Sequence, residues 1–206
     1  MYLDDIKMTL LGNSGVGKTG IIKRFVNETF KDNNSSTIGA NSLIKIIKHK
    51  NNKYRLNIWD TAGQEKYQSL SKLFYRDAYI IVLVYDLTNK KSFDSLKENW
   101  YPDIKSSAEN CVLLGVVGNK LDLFEEDNTV DENEAKEFAN EINAIFSLVS
   151  AKEGDNVSNF FDNLMKKFFE DDVQEKVRSI ERKRGFNSSF SISEQKKGKK
   201  HKICCK

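Results

Sequence analysis

Gly12-Asn13-Ser14-Gly15-Val16-Gly17-Lys18-Thr19 decides how the rest of the chain is read. It fits the pattern G-x-x-x-x-G-K-[ST] at every fixed position. Met8 to Leu11, just before it, is an apolar run that suits a buried strand. Ile21, Ile22, Phe25 and Val26, just after it, recur at helical spacing, so the loop joins a strand to a helix. In that context glycines let successive N–H groups curl around an anion, and the free N–H groups of the next helix face the same point. Lys18 would reach the β- and γ-phosphates of a nucleotide, and the Thr19 hydroxyl would ligate Mg²⁺. The plain alternative is a glycine-rich turn that binds nothing; the strand–loop–helix setting and the Lys-Thr pair argue against it.

The 206 residues are enough for one well-buried α/β domain and a tail. With 39% hydrophobic and 31% charged residues the composition suits a globular protein. The longest apolar runs, Tyr79 to Tyr85 and Val112 to Val117, are strand-sized and too short to cross a membrane. Met1-Tyr2-Leu3-Asp4-Asp5 is too acidic for a signal peptide, which makes a reducing, cytosolic setting the default expectation. Cys111 precedes a buried strand and reads as an inert core thiol. Adjacent Cys204 and Cys205 do not suit an ordinary structural disulfide. The net charge of +3 is uneven: from Lys176 onward eleven basic residues face two acidic ones, leaving the preceding chain at −6. A mildly acidic body argues against nucleic-acid binding, and a basic tail argues for contact with something anionic.

Along the chain, Asn27 to Ser36 reads as a loop. Leu43 to Lys48 and Tyr54 to Trp59 read as strands joined by a turn at Lys50-Asn51-Asn52. A polar segment, Asp60 to Ser71, precedes the apolar strand Tyr79 to Tyr85. A helix from about Ser92 carries Phe93, Leu96 and Trp100 on one face, and the only proline, Pro102, should kink or break it. After the strand Val112 to Val117, Asp131-Glu132-Asn133-Glu134 opens a helix with acids in its first turn. Ile145 to Val149 is a last strand, and Phe160, Phe161, Leu164, Phe168 and Phe169 mark a closing helix. Strands alternating with helices predict a mostly parallel sheet with ligand loops at its carboxyl edge. From about Gly185 the chain is Ser-, Asn- and Lys-rich, and disorder is expected.

Further motifs stand at these strand ends. In Asp60-Thr61-Ala62-Gly63-Gln64, Asp60 would hold Mg²⁺ through its water shell, the Gly63 amide would meet the γ-phosphate, and Gln64 would orient a water. A lone D-x-x-G is common; position gives this one meaning. In Asn119-Lys120-Leu121-Asp122, the Asp122 carboxylate can accept both N1–H and the exocyclic amino group of guanine, a donor pair that adenine lacks. Lys120 would lie across the base and Asn119 would tie the surrounding loops together; a polar loop closing a strand is the alternative. Ser150-Ala151-Lys152 can offer the Ala151 N–H to guanine O6, though the tripeptide alone says little.

With these motifs the sequence resembles the Ras-superfamily small GTPases, and among them the Rab family of membrane-traffic switches, over about Ile6 to Asp172. Thr37-Ile38-Gly39, the run Trp59-Asp60-Thr61-Ala62-Gly63-Gln64-Glu65-Lys66-Tyr67, and Phe74-Tyr75-Arg76-Asp77-Ala78 carry the Rab likeness. Thr37-Ile38-Gly39-Ala40 and Lys66-Tyr67-Gln68-Ser69-Leu70 look most like the endosomal branch. The resemblance implies an α/β fold, a P-loop NTPase small G domain over residues 1–175. It has a six-stranded, mostly parallel sheet flanked by about five helices, followed by a flexible basic tail over 176–206. It implies that Asn13, Ser14, Gly15, Val16, Gly17, Lys18, Thr19 and Gly20 hold the nucleotide phosphates, with Gly63. Phe30 packs against the guanine, which Asn119, Lys120, Asp122, Ser150, Ala151 and Lys152 bind. Thr19, Thr37 and Asp60 attend Mg²⁺, and Gln64 and Lys18 act in hydrolysis. For Phe30, core packing at the end of the first helix is the alternative.

The sequence also departs from the Rab pattern. Ser42 stands where an aromatic residue usually completes an apolar triad with Trp59 and Phe74, Asn34 replaces a switch I tyrosine, and Asp77 replaces a glycine. At the terminus, Ile203 rather than cysteine stands fourth from the end, so a C-a-a-X box is absent. Cys204 and Cys205 instead resemble the doubly geranylgeranylated Rab terminus, and two chains give the stable anchor that one does not. Lys196, Lys197, Lys199, Lys200 and Lys202 would add attraction to an anionic leaflet. A solvated basic tail or a nuclear-localisation-like run is the alternative.

The expected function is a slow GTP hydrolase whose output is two conformations, regulating vesicle and endosomal traffic. The implied partners are GTP and GDP, an exchange factor, a GTPase-activating protein, prenyl-escort and dissociation-inhibitor proteins, effectors and a membrane, with no nucleic acid. The expected location is the cytoplasmic face of an endosomal or vesicular membrane, in exchange with the cytosol. A GTP-binding scaffold that no longer switches is the rival that Ser42 and Asn34 motivate. A P-loop ATPase or kinase is the rival that Asn119-Lys120-Leu121-Asp122 opposes.

Overall fold

Ile80–Asp86 (β4) is seven residues long and buried along its whole length, so neither of its faces meets water. A strand of this kind lies in the middle of a sheet covered on both sides. The computed structural model describes residues 4–30, 37, 40–61, 73–124 and 130–195. In it six strands form one sheet in the order β2-β3-β1-β4-β5-β6. The others are β1 (Asp4–Leu11), β2 (Ala40–His49), β3 (Asn52–Thr61), β5 (Leu113–Asn119) and β6 (Ala144–Leu148). β1 runs parallel to both its neighbours, with Met8 opposite Ile58 on one side and Ile80 on the other. Only β2 is antiparallel, turning back from β3 through Lys50 and Asn51 with Lys50 at φ 51°.

Alternation along β4 divides the core. Ile80, Val82 and Val84 join one cluster, and Ile81, Leu83 and Tyr85 join the other. The first cluster is covered by α1 (Lys18–Asn27), α5 (Val157–Phe168) and α6 (Asp171–Gln195), the second by α4 (Glu132–Glu141) and the rod spanning residues 90–107. Asp131 caps α4, its carboxylate accepting from the Asn133 N–H at 2.7 Å. The sheet, its mixed direction and these five helical rods agree with the expected small G domain.

Pro102 does not break its helix. The rod runs as α2 (Lys90–Ser95), a π turn (Leu96–Trp100) and α3 (Tyr101–Ser107). Proline has no N–H to give the carbonyl four residues back and its ring crowds that carbonyl. The helix widens just before it, so that the Tyr101 N–H reaches Leu96 O, five residues back. Trp100 and Tyr101 keep helical φ and ψ throughout.

The last helix also differs from expectation. Disorder is expected from about Gly185, and α6 runs past that point to Gln195. Val173 and Val177 bury its first turns against the body, and elongating a formed helix costs far less than starting one. A single glycine at 185 lowers helix stability by only about 1 kcal/mol. Residues 196–206, with Cys204 and Cys205, lie outside the described residues. Among the described residues no helix is long and apolar enough to cross a membrane.

Candidate nucleotide site

The carboxyl ends of β1, β4, β5 and β6 converge on the loop between β1 and α1. Gly12 and Gly17 take φ values of 144° and 93°, which side chains rarely adopt. A Cβ on Gly12 would lie 2.1 Å from the Val84 carbonyl oxygen, and one on Gly17 would lie 2.2 Å from Asn119 Nδ2. On Gly15 it would meet nothing within 4 Å, so the loop opens there into a cradle. No acid stands in the first turn of α1 and no side chain caps it, which leaves its amides and dipole facing that cradle. Val16 is buried and Ser14 exposed.

Lys18 is 5% exposed and curls back over the loop, donating to Gly12 O at 2.7 Å and Asn13 O at 2.9 Å. Burial pulls its ammonium down to about 8, against the opposing pull of Asp60. The next residue, Thr19, donates its hydroxyl to Asp60 Oδ2 at 2.6 Å and lies 3.0 Å from the hydroxyl of Thr37. Asp60 is buried, which raises its carboxyl above the ordinary range although the Thr19 hydrogen bond opposes this. Its second oxygen, Oδ1, is buried with no partner. Two hydroxyls and a carboxylate with an orphaned oxygen form a hard, all-oxygen donor set that fits Mg²⁺. The structure thus gathers Lys18, Thr19, Thr37 and Asp60 from three segments.

On the far side of the loop, Asn119 donates to Val16 O at 2.9 Å and accepts from the Ala151 N–H at 3.1 Å. It joins three loops with one buried amide. The Ala151 N–H, expected to face a base carbonyl, is therefore directed at Asn119 Oδ1 here. Asp122 accepts from the Ser150 hydroxyl at 2.6 Å, and Ser150 Oγ accepts in turn from the Glu153 N–H at 3.0 Å. Lys120, at φ 71°, pairs with Asp86 Oδ2 at 2.5 Å. Phe30 lies beside Gly20 and Ala151, since a Cβ on Gly20 would meet the Phe30 ring at 3.3 Å and Ala151 Cβ at 3.4 Å. Gly63, Gln64, Cys204 and Cys205 lie outside the described residues.

Sequence reading missed several contacts that organise this region. Asn13 Oδ1 accepts from Ser95 Oγ at 3.0 Å and from Trp100 Nε1 at 2.9 Å, tying the loop to the π turn. Asp86 holds Lys120. Arg24 reaches from α1 to the carbonyls of the Ser150–Lys152 loop. No local pattern announces these contacts. Away from the site, Ser42 stands opposite Trp59 in the β2–β3 register and the Trp59 and Phe74 rings are 5.8 Å apart, so the three triad positions do meet. Asp77 finds a partner in α6, Arg184, at 2.9 Å.

Comparison with known proteins agrees with this geometry. The Ras family pattern matches residues 7–170. The chain is 38% identical over 161 residues to Ras-related protein Rab-22A of Homo sapiens, covering 78% of this chain and 82% of that protein. It is 38% identical over 184 residues to GTP-binding protein ypt5 of Schizosaccharomyces pombe, covering 89% and 86%. To Ras-related protein Rab-30 of Homo sapiens it is 41% identical over 155 residues, 75% of each. The chain belongs to the Ras family: it is a small GTPase. Its likeness to these proteins puts it on the Rab side of that family.

Proposed function

We propose that this GTPase is a Mg²⁺-dependent guanine-nucleotide switch that regulates endosomal or vesicular membrane traffic. One observation carries the reading. Thr37, from the segment between α1 and β2, brings its hydroxyl to Thr19 and so to Asp60, which is the meeting a γ-phosphate-sensing loop would make. Thr19, Thr37 and Asp60 would hold the ion, which when bound would neutralise charge on the phosphate oxygens. The open cradle at Gly15 and the amides of Gly15, Val16, Gly17, Lys18, Thr19 and Gly20 would take the phosphates, with Asn13 and Ser14 shaping the loop. Asp122 would accept the two guanine donors; a carboxylate retains that capacity while also accepting from Ser150. Phe30, Lys120, Ser150, Ala151 and Lys152 would frame the base, and Asn119 would keep their loops in register.

In hydrolysis Gln64 would orient a water for in-line attack on the γ-phosphorus. The new P–O bond forms as the bond to the β,γ-bridging oxygen breaks, and the Lys18 ammonium and the loop amides would hold the charge that moves to that oxygen. A partner would supply an arginine, since Arg24 is committed to backbone carbonyls. Loss of the γ-phosphate would release Thr37, giving exchange factors, activating proteins, escort and dissociation-inhibitor proteins and effectors two surfaces to tell apart. Cys204 and Cys205 would carry two prenyl chains, and the lysines beside them would favour an anionic, cytoplasmic leaflet.

Gln64→Leu tests the switch. It should bind GTP near normally and release phosphate more slowly in a single turnover. A parent protein no faster than this variant, even with activating proteins, would favour a non-switching scaffold. Cys204→Ser combined with Cys205→Ser should move the protein from membranes to the soluble fraction. Firm membrane retention of that double variant would overturn the lipid anchor.

A further inference from the structure

Arg24 sits near the end of α1, one turn and a half beyond Lys18, and its guanidinium is a hub for backbone that comes from far away in sequence. Nε donates to Ala151 O at 2.9 Å, Nη2 donates to Lys152 O, and Nη1 donates to Glu28 O at 3.2 Å. The guanidinium carbon also lies 6.0 Å from the centre of the Phe30 ring. The loop is closed around this side chain. Gly154, at φ 95°, donates its N–H to Ser150 O at 2.8 Å, and a Cβ there would stand 3.5 Å from Arg24 Cδ.

We propose that Arg24 is the positioning residue of the guanine pocket, holding the Ala151–Lys152 backbone on one flank and Phe30 on the other. The inference rests on the guanine-nucleotide reading above. Its physical basis is the rigid fork of arginine, which supplies several donors in one plane. Binding the carbonyls of Ala151 and Lys152 fixes two successive peptide planes. In a trans peptide the Lys152 N–H points opposite to the Ala151 carbonyl, hence away from Arg24. Glu28 C=O, the third acceptor, is the αL cap of α1 and starts the segment that leads to Phe30. One side chain therefore sets the spacing between the residues that would stack on the base and those that would meet its O6 edge. Lysine cannot reproduce this, having one nitrogen for three acceptors.

The test uses the full chain loaded with a fluorescent ribose-labelled GDP, chased with GDP or ADP. Arg24→Ala should release the label about tenfold to a hundredfold faster, the range expected for losing charge-assisted hydrogen bonds. Arg24→Lys should fall between it and the parent. The ratio of GDP to ADP affinity should narrow, because the loosened groups serve a guanine acceptor that adenine lacks. Unchanged release in both variants would overturn the proposal. Faster release with an unchanged GDP-to-ADP ratio would overturn it too, marking Arg24 as general scaffolding. If Arg24→Ala does not fold, Arg24→Lys and Arg24→Gln carry the same two readouts. Asp122→Asn run in parallel separates the failures: if it leaves GDP affinity intact, the guanine pocket itself is wrong, whatever Arg24 does.

Discussion

The indole N–H of Trp100 donates to the side-chain oxygen of Asn13 across 2.9 Å, joining the phosphate loop to a π turn 87 residues later. Ser95 gives the same oxygen a second bond at 3.0 Å. The relationship follows from Pro102: the missing N–H widens the helix before it, and Trp100 is the last residue of the widened turn that Tyr101 N–H closes on Leu96 O. Trp100→Phe keeps an aromatic ring and deletes the donor. It should lower unfolding stability by about 0.5–1.5 kcal/mol, the net worth of one hydrogen bond. It should also speed nucleotide release a few-fold, because Asn13 loses one of two tethers. Urea denaturation and a dissociation time course check both; unchanged release would leave the tether without a role in the loop.

Asp77 and Arg184 form an exposed ion pair at 2.9 Å that pins α6 to the start of β4. Tyr79 also meets α6, its hydroxyl 3.4 Å from Glu181 and 3.5 Å from the Arg184 guanidinium. The aspartate that departs from the Rab pattern thus serves the added helix. Exposed pairs contribute little, about 0.2–1 kcal/mol. Asp77→Gly should barely change global stability, yet trypsin should cut after Arg182, Lys183 and Arg184 sooner. Equal cleavage rates at higher and lower salt, in parent and variant alike, would remove the pair from the docking of α6.

Cys111 is free, and its thiol donates to Leu113 O at 3.4 Å. Burial pushes it from 9.0 up to about 11. Thiolate is the reactive form, so alkylation at pH 8, mapped by mass, should leave Cys111 unmodified in the folded chain and modify it on unfolding. The folded value lies above the unfolded one, so its stabilising effect is complete below pH 9 and fades between pH 9 and 11. Over that window the folded state should lose stability on the order of 2 kcal/mol, an effect absent in Cys111→Ala.

The legibility of the sequence divides along the same physical line. Lys18, Thr19, Asn119 and Asp122 stand in short contiguous motifs, because each loop must present several groups from a single strand end. The strands were equally plain: β4 is an unbroken apolar run, and one that long must be covered on both faces. Arg24 was silent, since its acceptors are carbonyls 127 and 128 residues away and any residue type supplies a carbonyl. Asn13 is legible as a nucleotide-binding residue but not as an anchor, because its tether is a tryptophan that helical spacing assigns to the core face. Pro102 reads as a kink or break because pattern alone does not reveal that a helix can widen by one residue and continue. The length of α6 is hidden for a related reason: past Val177 apolar contact thins to a partly buried Ile180, and the helix is carried by propagation and by contacts of Glu181 and Arg184 with Tyr79 and Asp77.

The central claim is that Asp122 makes this a guanine site, and competition between GDP and xanthosine diphosphate for the parent and Asp122→Asn tests it most directly. Replacing the carboxylate with an amide sets a donor against a guanine donor in the pocket. GDP affinity should fall about a hundredfold or more, while xanthosine diphosphate, whose base offers an acceptor there, should bind the variant better than GDP. GDP affinity unchanged in Asp122→Asn, with xanthosine diphosphate still the weaker ligand, would contradict it.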